Sequence, residues 1–108
     1  MSLSNPPRRF QGLPVVALGG DRVVPVAATR RARLLGLALL HRSAVTGLLI
    51  PRCCAVHTVG MRFRLDLHFL DAQGLALSVR RGVPPGRLLR EPRARSVLEL
   101  PSDEETSR

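Results

Sequence analysis

The sequence predicts a small, mainly β domain, an antiparallel barrel-like or sandwich-like fold with one short helix; an α+β fold is the alternative. Three observations favour this class. Residues 61–79 alternate apolar and polar side chains with the period of two that a half-buried strand shows. Other short apolar runs are bounded by Gly and Pro, which is typical of strands joined by turns. The run RRARLLGLALL contains good helix formers and no β-branched residue.

The predicted domain organisation is a single domain over residues 13–101. A chain of 108 residues is long enough for one small hydrophobic core. Residues 1–12 are polar and carry two adjacent prolines, so we expect a disordered tail there. Residues 102–108 are acidic and polar, and we expect a second disordered tail.

The first predicted elements are a hairpin, the helix and a short strand. Two Val-containing runs flank a Gly-Gly-Asp corner at residues 19–21, which predicts a hairpin. Thr29 is a candidate N-cap for a helix near residues 29–41. Gly36 either ends the first part of that helix or lets it pack closely. The run GLLIP at residues 47–51 predicts a brief buried strand.

The stretch 61–79 predicts a second hairpin. Its first apolar side chains occupy odd-numbered positions, namely Met61, Phe63, Leu65, Leu67 and Phe69. Asp71 and Gly74 stand at the first and fourth positions of a type I turn followed by a left-handed glycine. The apolar residues after the turn keep the same parity, namely Leu75, Leu77 and Val79. Both strands are therefore expected to present their apolar side to one core.

A loop and a last strand complete the predicted fold. Residues 82–92 contain a Pro-Pro-Gly sequence, which predicts a loop. In the following run, SVLELP, Val97 and Glu99 lie on the face opposite to Leu98 and Leu100 if the run is a strand.

The chain is strongly basic. Its formal net charge is +9, and all 17 of its basic residues are arginine. The absence of lysine fits a coding bias toward G and C, so part of the charge reflects composition rather than a particular partner. We expect weak, salt-sensitive attraction to anionic surfaces.

A basic stretch near the C-terminus makes a nucleic-acid binder one alternative function. Its members are Arg80, Arg81, Arg87, Arg90, Arg93 and Arg95. Single-stranded nucleic acid is held largely by stacking on aromatic side chains, and this chain has three phenylalanines and no Tyr or Trp. Specific nucleic-acid binding is therefore not expected.

The cysteines and the apolar runs predict a cytoplasmic location. Cys53 and Cys54 are adjacent, and neighbouring cysteines rarely bridge, so no disulfide framework is indicated. The N-terminal residues contain no apolar run of signal-peptide length. The most apolar stretch, residues 34–50, is interrupted by His-Arg-Ser, so no membrane span is expected.

Four elements, in the same order and at similar spacing, resemble the domain of unknown function 192 family. They are Arg33, Gly36 and Leu37; Gly47 to Ile50; Leu65, Asp66, Phe69, Leu70, Asp71 and Gly74; and Leu98, Glu99 and Leu100. The resemblance covers residues 24–101. It implies a mainly β, barrel-like or sandwich-like fold of the kind found in small bacterial and archaeal proteins. No established activity attaches to the family, so the resemblance implies a fold and not a function.

The chain departs from the family pattern at Ala38, which stands where a methionine is usual, and at four further places. His57-Thr58 replaces a Trp-Met pair, and Gly60-Met61 replaces Asn-Thr. Arg64 stands where a proline is usual. The chain also stops soon after the Leu-Glu-Leu strand, and we expect one sheet edge to lack a covering strand.

The polar row of the second hairpin is the first candidate site. Its members are Arg62, Arg64, Asp66 and His68. In the predicted register, Ser78 and Arg80 lie near Asp66 and Arg64. A carboxylate between guanidinium groups would be ionised and oriented for binding. The alternative is a solvated strand face with cross-strand charge pairs.

The segment CCAVHT holds atom types that bind metals or act as nucleophiles. Cys53, Cys54 and His57 lack the Cys-x-x-Cys spacing and the second cluster of a structural zinc site, so no metal is expected. A nucleophilic cysteine with His57 as its base is conceivable. The alternative is a pair of small buried hydrophobes.

The preferred interpretation is a non-catalytic binding or accessory module without a cofactor, whose partner is a protein or a small molecule. The residues predicted to bind it are His57, Thr58, Gly60, Asp66, Arg87 and Glu99. The alternatives are a hydrolase-like enzyme and the basic nucleic-acid binder. The enzyme would use the two cysteines, or His57 with Asp66 and Glu99 as an acid–base pair, and would require those groups to converge in a pocket.

Overall fold

The structure, a computed structural model, describes residues 7–19 and 22–103. They form eight strands, one α-helix and two single 3₁₀ turns. The elements are β1 (Val15–Gly19), β2 (Arg22–Pro25), α1 (Arg30–Leu35), β3 (Leu48–Pro51), β4 (Ala55–His57), β5 (Leu65–Leu70), β6 (Ala76–Val83), β7 (Leu88–Arg90) and β8 (Ser96–Pro101), with the 3₁₀ turns at Arg8–Phe10 and Arg42–Ala44. The predicted mainly β class with one short helix is confirmed.

Three antiparallel sheets make up the architecture. The central sheet has the strand order β3-β8-β5-β6, and β1-β2 and β4-β7 form separate two-stranded ribbons. A parallel bridge between Val26 and Leu49 joins the first ribbon to the central sheet. Over residues 7–19 and 22–103 the strands form open sheets, and no closed barrel is found. No helix in these ranges has the length and apolarity needed to cross a bilayer.

The inner face of the central sheet carries the core. Side chains of directly paired residues in an antiparallel sheet project from the same face. Glu99 pairs with Leu48 on one side and with Leu67 on the other, and both leucines are fully buried. The remaining buried side chains of this face include Ile50, Leu65, Phe69 and Val97. A carboxyl group therefore lies among the apolar side chains of the core.

Helix α1 is shorter than the predicted span. The hydroxyl of Thr29 accepts a hydrogen bond from the backbone N–H of Ala32 at 3.1 Å, so the predicted N-cap is present. Gly36 ends the helix with φ +54°, and its N–H bonds to the carbonyl of Ala32 at 2.9 Å. Beyond it, the N–H of Leu39 bonds to the carbonyl of Gly60 at 2.8 Å, a tertiary contact that replaces further helix.

The second hairpin forms with the predicted turn. The N–H of Gly74 bonds to the carbonyl of Asp71 at 3.0 Å, and Asp71 Oδ1 accepts two further backbone N–H bonds at 2.9 Å. The predicted common apolar side does not continue along β6, because a bulge places Ser78 opposite Phe69. Val79 consequently pairs with His68 on the outer face, and Leu75, in the turn, is 67% exposed, although Leu77 still packs against the core.

Ordered structure extends into segments where we predicted loop or tail. Within the predicted 82–92 loop, β7 pairs with β4, and neither three-residue strand is long enough to show a periodicity. Within the predicted N-terminal tail, Phe10 is only 4% exposed and joins the core. The N–H of Ser102 bonds to the carbonyl of Arg64 at 2.9 Å. The rest of the predicted tails, residues 1–6 and 104–108, lies outside the described residues.

Candidate ligand-binding cavity

A cavity of about 130 Å³ lies between the end of α1, the β4–β7 ribbon and the inner face of the central sheet. Most of its wall is aliphatic, contributed by Leu34, Leu35, Ile50, Val56 and Leu88. Its polar side chains are those of Arg33, Cys53, His57 and Glu99. The fold thus brings together two of the predicted site residues, His57 and Glu99, in one concave space.

Glu99 is the most buried charged group of the cavity, with 1% of its surface exposed. Burial disfavours the ionised form and raises the pKa of its carboxyl from 4.5 to about 7, although a hydrogen bond from the Leu37 backbone opposes the shift. In the part of the chain that the structure describes, its Oε1 oxygen is buried and has no hydrogen-bond partner. The carboxyl therefore retains one acceptor that the protein itself does not use.

Gly36 leaves space for the carboxyl of Glu99 because it has no side chain. A Cβ atom at this position would lie 3.0 Å from Glu99 Oε1, closer than most real contacts. The same residue ends α1, so the chain turns and directs the backbone of Leu37 toward the carboxyl. The helix end and the sheet strand therefore build the polar part of the cavity together.

His57 lines the cavity with both ring nitrogens occupied. Its Nε2 lies 3.0 Å from the carbonyl oxygen of Leu34, and its Nδ1 accepts the backbone N–H of Val59 at 3.2 Å. This pattern fits the tautomer that carries its proton on Nε2. The ring ties β4 to α1 and leaves no nitrogen available to act as a base.

Cys53 reaches the same cavity as a protonated thiol. Burial raises the pKa of Cys53, and its Sγ lies 3.1 Å from the carbonyl of Ala55. A thiol with a raised pKa is a poor nucleophile at neutral pH. Both cysteines are free, and within residues 7–19 and 22–103 no group of three or more His, Cys, Asp or Glu side chains could hold a metal ion.

Thr58, Gly60 and Arg87 support the cavity from outside its wall. Thr58 is fully buried, and its hydroxyl donates to the carbonyl of Pro84 and accepts from the N–H of Arg87, both at 2.8 Å. The carbonyl of Gly60 accepts from Leu39. These contacts hold the ribbon and the segment after α1 in place.

Asp66 lies on the opposite face of β5 from the cavity. It pairs directly with Leu100, whereas its neighbour Leu67 pairs with Glu99. Its Oδ1 accepts the N–H of Gly82 at 2.8 Å, and Oδ2 lies 3.4 Å from a guanidinium nitrogen of Arg81. The predicted register placed Ser78 and Arg80 near Asp66 and Arg64. Asp66 instead meets Arg81, because β6 is bulged at both ends of its pairing with β5.

In this row His68 interacts electrostatically with Asp66 and Arg81, whereas Arg62 and Arg64 have other partners. Arg62 contacts His41 at 3.2 Å, and Arg64 donates to the carbonyl of Gly82 at 2.8 Å. Burial lowers the pKa of His68, as does the positive charge of Arg81. The row is therefore a set of local strand contacts, and Asp66 and Glu99 do not converge.

Sequence reasoning predicted Glu99, His57 and Cys53 as candidate residues, but it did not predict that Gly36 and the backbone of Leu37 lie beside Glu99. Glu99 was predicted as an acid on the last strand that could act together with Asp66. Gly36 and the Leu37 backbone could not be assigned to this carboxyl, because their proximity depends on where α1 packs against β8.

Comparisons with known proteins agree with the fold. Residues 16–107 match the family DUF192, described as "Uncharacterized ACR, COG1430". No curated protein matches the chain. A crystal structure of a protein of unknown function from Novosphingobium aromaticivorans DSM 12444 is similar, with a TM-score of 0.59 at 17% identity. The alignment covers 82% of this chain and 71% of that one.

Proposed function

Starting from the premise that this chain belongs to the DUF192 family, we propose that it is a non-catalytic binding module whose ligand site is the cavity beside Glu99. The family is uncharacterised, so support for this function comes from the residues of the cavity.

The observation that carries the proposal is the buried, unpartnered Oε1 oxygen of Glu99. Leaving a buried polar atom without a hydrogen bond costs roughly 1–3 kcal/mol. A ligand that donates a hydrogen bond to this oxygen recovers that free energy, and an aliphatic part of the ligand can pack against the walls. Concave, largely apolar sites with few polar groups are typical of small-molecule binding.

The hydrogen bonds and positions of His57, Cys53 and Asp66 favour a binding function over a hydrolytic one. A catalytic nucleophile needs a base within hydrogen-bond reach. Both nitrogens of His57 are occupied, the thiol of Cys53 has a raised pKa, and Asp66 is on the other face of the sheet. None of these arrangements supports an activated nucleophile.

The size of the cavity limits the ligand to a small molecule or to one group of a larger one. Sites for drug-sized ligands measure roughly 300–1,000 Å³, whereas this cavity measures about 130 Å³. An apolar cavity of about 150 Å³ is sufficient for benzene. We therefore expect an occupant of about six non-hydrogen atoms within the cavity.

The test is a titration with n-butanol and butyramide, followed by amide NMR shifts at Gly36 and His57. Ala55 lines the cavity and is exposed. Ala55→Leu should therefore reduce the cavity volume and weaken binding, and it changes no buried residue. Ala76→Leu, at an exposed position on β6 away from the cavity, is the matched control and should respond like wild type. The proposal fails if neither probe shifts these amides, or if Ala55→Leu responds as wild type does.

A further inference from the structure

We propose that the group bound beside Glu99 is a primary ammonium on a short alkyl stem, with the ammonium paired to the carboxylate and the stem packed on the aliphatic wall. This inference rests on the proposed function of the cavity and adds the chemical class of its ligand.

Glu99 differs from the other acids that the structure describes. Three of them form ion pairs with arginine: Asp66 with Arg81, Glu91 with Arg93 and Asp103 with Arg42. Asp71 accepts backbone N–H groups in its turn. Among the described residues, no cationic nitrogen lies within 4.0 Å of the carboxyl of Glu99, although the chain has 17 arginines. The position that lacks a cation is also the one that opens on a cavity.

The shape of the cavity selects among cations. An ammonium is a compact charge with three donors, whereas a guanidinium is a wide planar group with five. One free carboxylate oxygen in a cavity of about 130 Å³ can serve the compact group. The aliphatic side chains of Ile50, Val56 and Leu88 line the space through which an unbranched stem would run.

The charged and titratable groups that face Glu99 come from three segments. Arg33 lies on α1, Cys53 precedes β4, and His57 ends β4. From the flanking strands β3 and β5, the direct partners of Glu99 are the apolar Leu48 and Leu67.

Arg33 is the one cation of the cavity lining, and its charge opposes a bound ammonium. Its guanidinium donates to the carbonyls of Pro51 and Arg52. An ammonium in contact with the carboxylate is attracted at shorter range than it is repelled by a guanidinium held on other acceptors.

Binding of an ammonium should be linked to loss of a proton from Glu99. The pKa of the free carboxyl is about 7, and the ion pair needs the ionised form. Affinity for the ammonium should therefore rise roughly tenfold between about pH 6 and pH 8, in proportion to the ionised fraction. A neutral donor such as n-butanol should not show this rise.

The experiment titrates n-butylammonium chloride and a short acetylated peptide with one central lysine, read from the amide shifts of Gly36 and His57. Sodium butyrate and n-butanol are the charge controls. We expect n-butylammonium to bind at least tenfold more tightly than n-butanol at pH 8, and to lose that advantage in Glu99→Gln. The pH series on wild type tests the ion pair independently of any variant.

The two chemical sources of an ammonium give different outcomes, and each supports the shared chemistry. Binding of the peptide and not of the free amine indicates a lysine side chain of another protein. Binding of the free amine and not of the peptide indicates a small alkylamine.

Two results would overturn the inference in distinguishable ways. If n-butanol binds at the cavity but n-butylammonium is no tighter, or is indifferent to pH and to Glu99→Gln, the ammonium is wrong and the cavity remains a binding site. If no probe shifts these amides, the proposed function fails as well.

Discussion

The carboxyl of Glu99 adds a pH-dependent contribution to the stability of the fold. The pKa of Glu99 is about 7 in the folded protein, against 4.5 for an unperturbed glutamate. Between these two values the folded state holds more protons than the unfolded state, so stability decreases as pH rises. The contribution is fully present below about pH 4.5 and is lost as pH rises through 7.

We expect the wild-type free energy of unfolding to include a decrease of about 3 kcal/mol between pH 4.5 and pH 8 from this residue, at 1.36 kcal/mol for each unit of pKa difference. In Glu99→Gln that decrease should be absent. Urea unfolding at a series of pH values measures it. Glu91→Gln, which removes the carboxylate that pairs with the exposed Arg93, should retain the wild-type slope. Equal slopes in the wild type and Glu99→Gln would contradict the assignment.

Gly36 is the second residue on which the cavity depends. Gly36→Ala puts a Cβ 3.0 Å from Glu99 Oε1 and forces an L-residue to φ +54°, ψ −129°. We expect a loss of roughly 2–3 kcal/mol in unfolding free energy, because strained backbone and a steric contact add.

Gly74→Ala is the matched control for Gly36→Ala. Gly74 has φ +83°, and an added Cβ there would meet nothing within 4 Å. Its loss should be only about 1 kcal/mol, from backbone conformation alone. Chemical denaturation of both variants measures their losses in unfolding free energy. Equal losses would mean that the contact with Glu99 contributes nothing.

At the scale of elements, the buried hydroxyl of Thr58 adds two hydrogen bonds between the end of β4 and the segment that leads into β7. Thr58→Val keeps the shape of the side chain but removes the bonds to the Pro84 carbonyl and the Arg87 N–H. We expect a loss of about 2 kcal/mol, with faster amide exchange in β4 and β7 than in β5. Thr58→Ser retains the hydroxyl and should protect the ribbon. An even acceleration across all strands would contradict a local role.

Elements differed in how far the sequence could predict them. The second hairpin was predicted because Asp71 and Gly74 fix the turn and β5 alternates without interruption. The bulge near Phe69 and Leu70 has no signal in that pattern, so the register of β6 was not predicted. The helix was predicted too long, because Leu and Ala after Gly36 favour helix while a tertiary bond from Leu39 to Gly60 holds them elsewhere.

The candidate site was predicted only in part for the same reason. The sequence predicted that Val97 and Glu99 share one face of β8, which is local information, but not that this face is the buried one. The positions of His57 and Cys53 beside it depend on the pairing of β4 with β7, and three-residue strands carry too little pattern to predict that pairing.

At the scale of the whole molecule, the net charge of +9 predicts weak attraction to polyanions. We expect binding to duplex DNA to weaken by at least tenfold between about 50 and 200 mM salt and to be indifferent to base sequence. Fluorescence anisotropy with two unrelated oligonucleotides measures both properties. Tight binding that survives the higher salt, or that prefers one oligonucleotide, would instead favour a specific nucleic-acid function.

The glycine after α1 has a consequence for how variants of this chain can diverge. Any side chain at this position begins with a carbon 3.0 Å from an oxygen of the acid. We therefore expect relatives that carry a side chain at this position to have a smaller residue in place of the acid.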